Sequence, residues 1–593
     1  DINGHVWCCW CLFGQESGGC KMTQFEDPRR HPPHPSPICT SPLPIDTPKP
    51  YLNPNPSSTM KYSSTRGGAQ DKDLTFLQAI MRGLALDGGL FTPNTIPTLS
   101  KDTLQEWSTC QHYYEIAYRV MRLYISTDEI PNEDLLNMVK KVYAPGKFRE
   151  PKVTPTTCLK GGMNDKKDLY LLELFHGPTF AFKDVALQFL GELFSYNLSK
   201  TNSKMTVLAA TSGDTGSSAI HGLRGQTGVD CFVMFPKGGP SQIQQRQMTT
   251  VPDSNVHCIA VEGDFDDCQK IVKDLFNEHD FRAEVQLGAV NSINWARILA
   301  QIVYYFWSYF EVQRQNTPGK VEGINFVVPT GNFGDILAGY YAARMGCPTN
   351  KLVVATNQND ILDRFFKTGT YHYTGGSVQT PAPSMDISVS SNFERFLYHC
   401  SGDDAVRTNE MMANFAASGE ITVGAEAFEH ATYYMSSGCV DDETMLSTIL
   451  TFKQKYGMKA LLDPHTAIGV SVATHEEKHA ISKELIQSPH PVVCLACAHW
   501  AKFPKVYNQA LALNIPNASE LEHDTTAVPN VLTQLASLTQ RVDVLQNDKN
   551  AIRAFVRSHV QDRSKDGGNG RVRRVLFGVG VVVGAVSLLS SFL

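Results

Sequence analysis

Between Lys204 and Asn357 short uninterrupted apolar runs alternate with stretches whose apolar residues recur at helical spacing. Met205–Ala210, Val229–Phe235, Val256–Glu262, Ile324–Pro329 and Lys351–Ala355 read as buried strands. Helices are expected near Gln242–Thr249, Asp267–Asn277, Trp295–Gln313 and Phe333–Met345. Such alternation predicts an α/β fold, a mostly parallel sheet covered by helices, in which ligands gather at the C-terminal ends of the strands. The same pattern returns over Leu461–Ile468 and Val492–Phe503. Upstream, Phe76–Leu84 and Leu104–Tyr143 carry helical periodicity alone, which predicts an N-terminal helical domain. Asp360 to about Tyr456 reads as a helical insertion with looped sections, including Thr370–Pro383 and a helix start at Ser391–Arg395.

Within this frame the stretch His176–Leu190, HGPTFAFKDVALQFL, places Lys183 between two apolar segments at the start of a helix. Burial disfavours the ammonium and lowers its pKa, and a neutral amine is what a Schiff base needs. A lysine that snorkels to solvent is the other reading. Two strands end in Gly-rich turns that open helices, Thr211-Ser212-Gly213-Asp214-Thr215-Gly216 and Thr330-Gly331-Asn332-Phe333-Gly334-Asp335. Backbone N–H groups and hydroxyls clustered at a helix N-terminus suit an anion. Two such turns beside Lys183 are best explained by one ligand with a phosphate and a carboxylate. Neither turn has the spacing of a dinucleotide or nucleoside triphosphate loop. Arg297, at the start of a helix that is mostly core, must pair with something, an internal carboxylate being the simplest partner. Gln242 and Gln245 are spaced to face a ligand or to form an ordinary polar helix face.

The chain has 593 residues, 42% of them apolar and 19% charged, with a formal net charge of −6. The length gives several domains, and the absence of a basic face argues against a nucleic-acid partner. Fifteen cysteines without regular spacing fit a reducing, cytoplasmic compartment. Asp1–Thr59, rich in Pro, Ser and His, reads as a disordered or non-native extension, with Met60 as the natural start. Its His5, Cys8, Cys9, Cys11 and Cys20 match no standard zinc spacing, so no metal is expected. After the polar linker Gln561–Asn569, a basic cluster precedes the uncharged run Val575–Leu593. This run is long enough to cross a bilayer once as a tail anchor; a mispredicted terminal exon accounts for it equally well.

The segments ELFHGPTFAFKDVALQFLGELF, ATSGDTGSSAI, MTTVPDSNV, AVNSINWARILAQ, VPTGNFGDILAGYYA and ATNQNDILDRFF resemble threonine synthases of the fungal and bacterial kind. The likeness runs from about Met60 to about Ser558. It implies a pyridoxal 5'-phosphate enzyme of fold type II, with tryptophan-synthase-β-like parallel sheets covered by helices. The corresponding division is an extension 1–59, an N-terminal domain 60–155, a catalytic α/β domain 156–359, a mainly helical insertion 360–456, the rest of the catalytic domain 457–560, and a linker and tail 561–593. The resemblance implies that Lys183 holds the cofactor and then acts as a base, and that Gly331, Asn332, Phe333, Gly334 and Asp335 cradle its phosphate. Thr211, Ser212, Gly213, Asp214 and Thr215 then meet the substrate carboxylate. Ser64 and Arg66, in the STRG start, and Asn294 and Arg297 are candidates for the substrate phosphate, Arg66 because a guanidinium pairs bidentately with phosphate oxygens. The implied substrate is O-phospho-L-homoserine and the implied products are L-threonine and phosphate. A lyase releasing a 2-oxo acid is the alternative. One departure stands out: where the family reads STAHPAKF, this chain has Cys497 in place of the Thr that meets the pyridine nitrogen and Trp500 in place of the Pro. A thiol is the weaker hydrogen-bond partner.

Overall fold

The computed structural model describes residues 60–512 and 528–566, Pro318 apart. Two parallel sheets dominate. Their strands in chain order are β1 (Thr156–Met163), β2 (Lys167–Glu173), β3 (Met205–Ala210), β4 (Val229–Pro236), β5 (Val256–Glu262), β6 (Leu287–Gly288), β7 (Ile324–Pro329), β8 (Thr349–Thr356), β9 (Met435–Cys439), β10 (Val492–Ala496) and β11 (Asp543–Gln546). The larger sheet has the order β9-β8-β7-β10-β2-β1 and the smaller one β11-β5-β4-β3-β6. Every neighbouring pair is parallel except β1 with β2 at the edge of the larger sheet. In the middle of that sheet Val492 lies opposite Leu169 on one side and Asn325 on the other. Strands β10 and β7 are buried throughout, and β2 is buried from Leu169 to Leu172. This is why their sequences run apolar without alternation.

The helix Trp295–Gln315 lies between layers and is buried on all sides from Trp295 to Val312. It packs on the helices Lys183–Thr201, Gly334–Arg344 and Tyr113–Tyr124, which ties the N-terminal helical region to the sheets. Edge-on aromatic contacts such as Trp295 with Tyr341, centroids 4.9 Å apart, and Tyr124 with Trp295, 5.7 Å apart, fill that junction.

Three features depart from the expectation. The 60–155 region contains a short antiparallel pair, Tyr62–Ser64 with Phe91–Pro93, too brief to show a period. The 360–456 section supplies strand β9 to the edge of the larger sheet. Its sequence, MSSGC, has no apolar run because the helix Pro464–Thr474 lies directly on it: a Cβ on Gly438 would stand 2.9 Å from Val472 Cγ1. The segment expected to be a linker from Gln561 is helical as far as Asp566, continuing the helix that starts at Lys549. Among the described residues no helix is long and apolar enough to cross a membrane. Asp1–Thr59, with His5, Cys8, Cys9, Cys11 and Cys20, and the run Val575–Leu593 lie outside the described residues.

The helices that begin at Lys183 and Asp214 cross backbone to backbone. A Cβ on Gly191 would stand 2.0 Å from Gly222 O, and one on Gly222 would stand 2.4 Å from Leu187 O. Only glycine permits that approach. Gly222→Val is therefore expected to lose about 3 kcal/mol in urea unfolding, because both helices must move apart. Unfolding midpoints of the purified variant check this.

Candidate active site

Lys183 is the first residue of its helix and sits at the C-terminal ends of β2 and β10. The preceding loop is laced to the segment after β10: Leu174 N–H donates to Ala496 O, Phe182 N–H to Cys497 O, and His499 N–H to Phe180 O. Phe180 adopts φ +59° to make this turn. The Asp184 carboxylate closes it by accepting from Thr179 N and Thr179 Oγ1, each at 2.7 Å. Lys183 is thereby buried, with Nζ 3.2 Å from Ser384 Oγ, 3.9 Å from Asp214 Oδ2 and 4.6 Å from the Phe182 ring centroid. Burial pulls its pKa down; Lys502 and Arg297 push the same way, while Asp214 and Cys497 oppose them.

The first Gly-rich turn follows β3. Thr211 Oγ1 accepts from Gly213 N and Gly216 N, so this hydroxyl shapes the turn. Ser212 and Thr215 are half-buried, and their hydroxyls have no hydrogen-bond partner among the described residues. Gly213 has φ +146°, and a Cβ there would meet the Gln244 amide at 2.6 Å. That amide donates to Asp214 Oδ1 at 2.8 Å. The fully buried Lys502 donates to the same oxygen at 2.6 Å and to Thr179 O at 2.8 Å. Burial alone would raise the Asp214 pKa, but Lys502 and Lys183 outweigh it and hold the carboxyl well below the usual range. The expected glutamine pair is offset: Gln242 is exposed and Gln245 bonds Gln540, whereas Gln244 and Gln247, two residues further on in each case, face inward, Gln247 to Thr179 O.

The second turn follows β7. Phe333, at φ +62°, caps the helix Gly334–Arg344 and anchors the turn among Phe366, Phe393 and Phe396. Gly331 O accepts from Ser390 Oγ at 2.6 Å, and Asn332 O accepts from Asn392 N at 3.1 Å. With these carbonyls engaged outward, the unpaired amides of the helix start are left to a ligand. Gly331 must be glycine, since a Cβ would stand 2.7 Å from Ser384 O. Asp335 is buried; its Oδ1 accepts from Tyr304 and Tyr305 and its Oδ2 has no partner. Burial pushes its pKa up to about 6, against the pull of those two hydroxyls. Cys497 is also buried, and burial pushes its thiol well up; its Sγ lies 3.8 Å from Leu495 O.

The substrate-phosphate candidates separate. Arg66 is committed to a bidentate pair with Glu394, Nε to Oε1 at 3.0 Å and Nη2 to Oε2 at 2.8 Å, and Ser64 donates to Asp87 at 2.7 Å. Asn294 caps its helix by accepting from Ala296 N and donates to Ile80 O. Arg297 differs: it is buried, its Nη1 reaches Val290 O at 3.1 Å, its Nε has no partner, and no carboxylate pairs with it among the described residues. Lys183, Lys502 and Arg297 are three buried basic groups, with Asp214 between the two lysines, and this excess of basic groups suits an anion. A desolvated amine, two donor-bearing helix starts and an unpartnered guanidinium fit a phosphorylated aldehyde cofactor and an anionic substrate.

Residues 61–143 match the family described as threonine synthase N terminus, residues 150–427 that of pyridoxal-phosphate dependent enzymes, and residues 466–556 that of threonine synthase, C-terminal. A threonine synthase of Schizosaccharomyces pombe is 44% identical over 502 residues, 80% of this chain and 93% of that protein. The chain belongs to the threonine synthase family. The solved structure of the yeast threonine synthase matches with a TM-score of 0.77 at 41% identity, covering 86% of this chain and all of the other. The pyridoxal-phosphate-bound threonine synthase from Brucella melitensis matches with a TM-score of 0.75 at 39% identity, over 85% of this chain and all of the other. The likeness is therefore not confined to fungal threonine synthases.

Two consequences can be measured. Asp214→Asn leaves Lys502 buried without its counter-ion and is expected to cost about 3–5 kcal/mol in urea unfolding. Asp214→Asn combined with Lys502→Met is expected to recover much of that loss, a non-additivity that double-mutant analysis detects. Asp335 titrates near 6 when folded and near 3.9 when unfolded, so the fold favours its protonated form. Its stabilising contribution is full below about pH 4 and is lost as pH rises through 6. Relative to Asp335→Asn, the cofactor-free parent is thus expected to lose on the order of 2–3 kcal/mol between pH 4 and 7, read from unfolding curves across that range.

Proposed function

We propose that this chain converts O-phospho-L-homoserine and water into L-threonine and phosphate, with pyridoxal 5'-phosphate carried on Lys183. The observation that carries the reading is the desolvated Lys183 amine, set beside Asp214 and between two helix starts rich in free donors. The amides of Gly331 to Asp335 suit the cofactor phosphate, and those of Ser212, Asp214 and Thr215 suit the substrate carboxylate. When bound, the cofactor supplies an electron sink that acidifies the hydrogens next to the substrate's amine-bearing carbon. Lys183, whose pKa burial lowers, takes the proton from Cα and returns protons along the chain. Arg297, lacking an internal carboxylate, is the group suited to the substrate phosphate; Arg66 and Asn294 support the walls instead. Asp214 remains ionised through Lys502 and holds Lys183 in reach.

Cys497 lies close enough to Lys183 for their charges to interact, and its thiol proton, held by burial, makes it a weak donor toward the pyridine ring. The 360–456 section belongs to the working enzyme, because Ser384 comes from it. Among the described residues the ten cysteines are all free thiols, which suits a cytoplasmic, reducing location.

Incubation with O-phospho-L-homoserine and pyridoxal phosphate is expected to release threonine and inorganic phosphate in equal amounts. Phosphate accompanied by a 2-oxo acid instead of threonine would overturn the reading. Lys183→Ala is expected to lose the visible absorbance of lysine-bound cofactor and at least about 10²-fold in turnover.

A further inference from the structure

Ser384 stands on a loop of the 360–456 section, in the turn Pro383–Met385, far in sequence from every other residue of the site. Its hydroxyl has one hydrogen-bond partner among the described residues, Lys183 Nζ at 3.2 Å. Its carbonyl lies against Gly331, so the same residue touches the lysine and the second Gly-rich turn. The loop is held from outside by Asp386, which accepts from Thr380 N, Thr380 Oγ1 and Asn357 Nδ2 at 2.7–2.9 Å. From inside it is held by a histidine: Ser384 N–H donates to His465 Nε2 at 3.2 Å, and His465 Nδ1 lies 2.7 Å from Asp463 Oδ1.

The hydrogen bonding decides the tautomer. A backbone N–H can only donate, so His465 Nε2 is bare and the ring proton sits on Nδ1, given to Asp463. Asp463 is itself fully engaged, accepting also from His465 N, Thr466 Oγ1 and Ala498 N. Asp463 and Asp386 are the charged groups facing the ring, and Phe503 packs on it with centroids 5.3 Å apart. Asp463, besides capping the helix Pro464–Thr474, orients the histidine that fixes the backbone of Ser384.

We propose that Ser384 is a further catalytic residue, whose hydroxyl holds the Lys183 amine in line for proton transfer, and that His465, backed by Asp463, is the positioning residue that sets Ser384 there. The free ammonium form of Lys183 has two anchors of different kind, the Asp214 carboxylate at 3.9 Å and the Ser384 hydroxyl at 3.2 Å. The carboxylate supplies charge and the hydroxyl supplies direction, because only the hydroxyl is within hydrogen-bond distance. This inference rests on the role given to Lys183 above.

The test compares holoenzymes. Ser384→Ala is expected to lower kcat roughly 10²-fold with KM little changed, as misplacement of a reacting group does. Its visible absorbance, followed without substrate, is expected to titrate at lower pH, since the protonated Lys183 nitrogen has lost an acceptor. Ser384→Thr should restore both, and Ser384→Cys, with its weaker hydrogen bonding, should fall between; these variants serve if the alanine variant folds poorly. His465→Phe, which keeps the ring packing, is expected to reproduce the loss, and the double variant Ser384→Ala with His465→Phe to be no slower than Ser384→Ala alone. Parental kcat and an unchanged titration in Ser384→Ala would overturn the role of Ser384, and additive losses in the double variant would overturn that of His465. A parent that binds cofactor yet makes no threonine would defeat the proposed reaction instead, while the absorbance titration would still decide Ser384.

Discussion

Asp214 is shared by two buried lysines. Lys502 is fully buried with this carboxylate 2.6 Å from its Nζ, and Asp214 in turn stays ionised because of Lys502 and Lys183. Neither charge could survive alone at that depth. The arrangement leaves Lys502 closely paired and Lys183 the longer partner, with a pKa that burial lowers. The rest of the site is arranged to keep this cluster together.

That requires bringing three distant parts of the chain into contact. Lys183 comes from the end of a strand in the larger sheet, Asp214 from the end of a strand in the smaller one, and Lys502 from the segment after β10. The helices opened by Lys183 and Asp214 meet through Gly191 and Gly222 with no side chain between them, which fixes the separation of their first residues. The wholly buried helix Trp295–Gln315 packs against the Lys183 helix and brings Arg297 near the same amine. Backbone proximity, not side-chain reach, sets the geometry, and this explains why glycines recur at the crossings and turns.

The site also shows how an unpartnered group differs from a satisfied one. Arg66, Ser64 and Asn294 are engaged by partners within the protein. Arg297 Nε and Asp335 Oδ2 do not, and both lie by the Gly-rich turns and Lys183. Burying a polar group without a partner is costly, so these two atoms mark where the protein meets something else.

Much of the fold was legible along the chain. The buried strands β3, β5 and β7 and the helix Gln242–Thr249 appear where the apolar runs place them, because a strand buried on both faces has to be apolar throughout. Lys183 and the two turns were legible for a related reason: glycines at strand ends and a lysine between apolar segments are local departures from what packing alone asks for. Strand β9 was not legible, since its small residues answer to a helix packed over it. Gln244 and Gln247 were missed because a helix pattern gives spacing but not which face turns inward. Lys502, Ser384, His465 and Asp463 were not singled out, as each looks ordinary among its neighbours and gains its meaning only from a partner tens or hundreds of residues away. The sequence by itself determined the layers, the turns and the lysine, which depend on neighbours along the chain. The tertiary structure alone decided which charges are paired and which are left open, because that depends on burial and on distances between segments that the chain order does not contain.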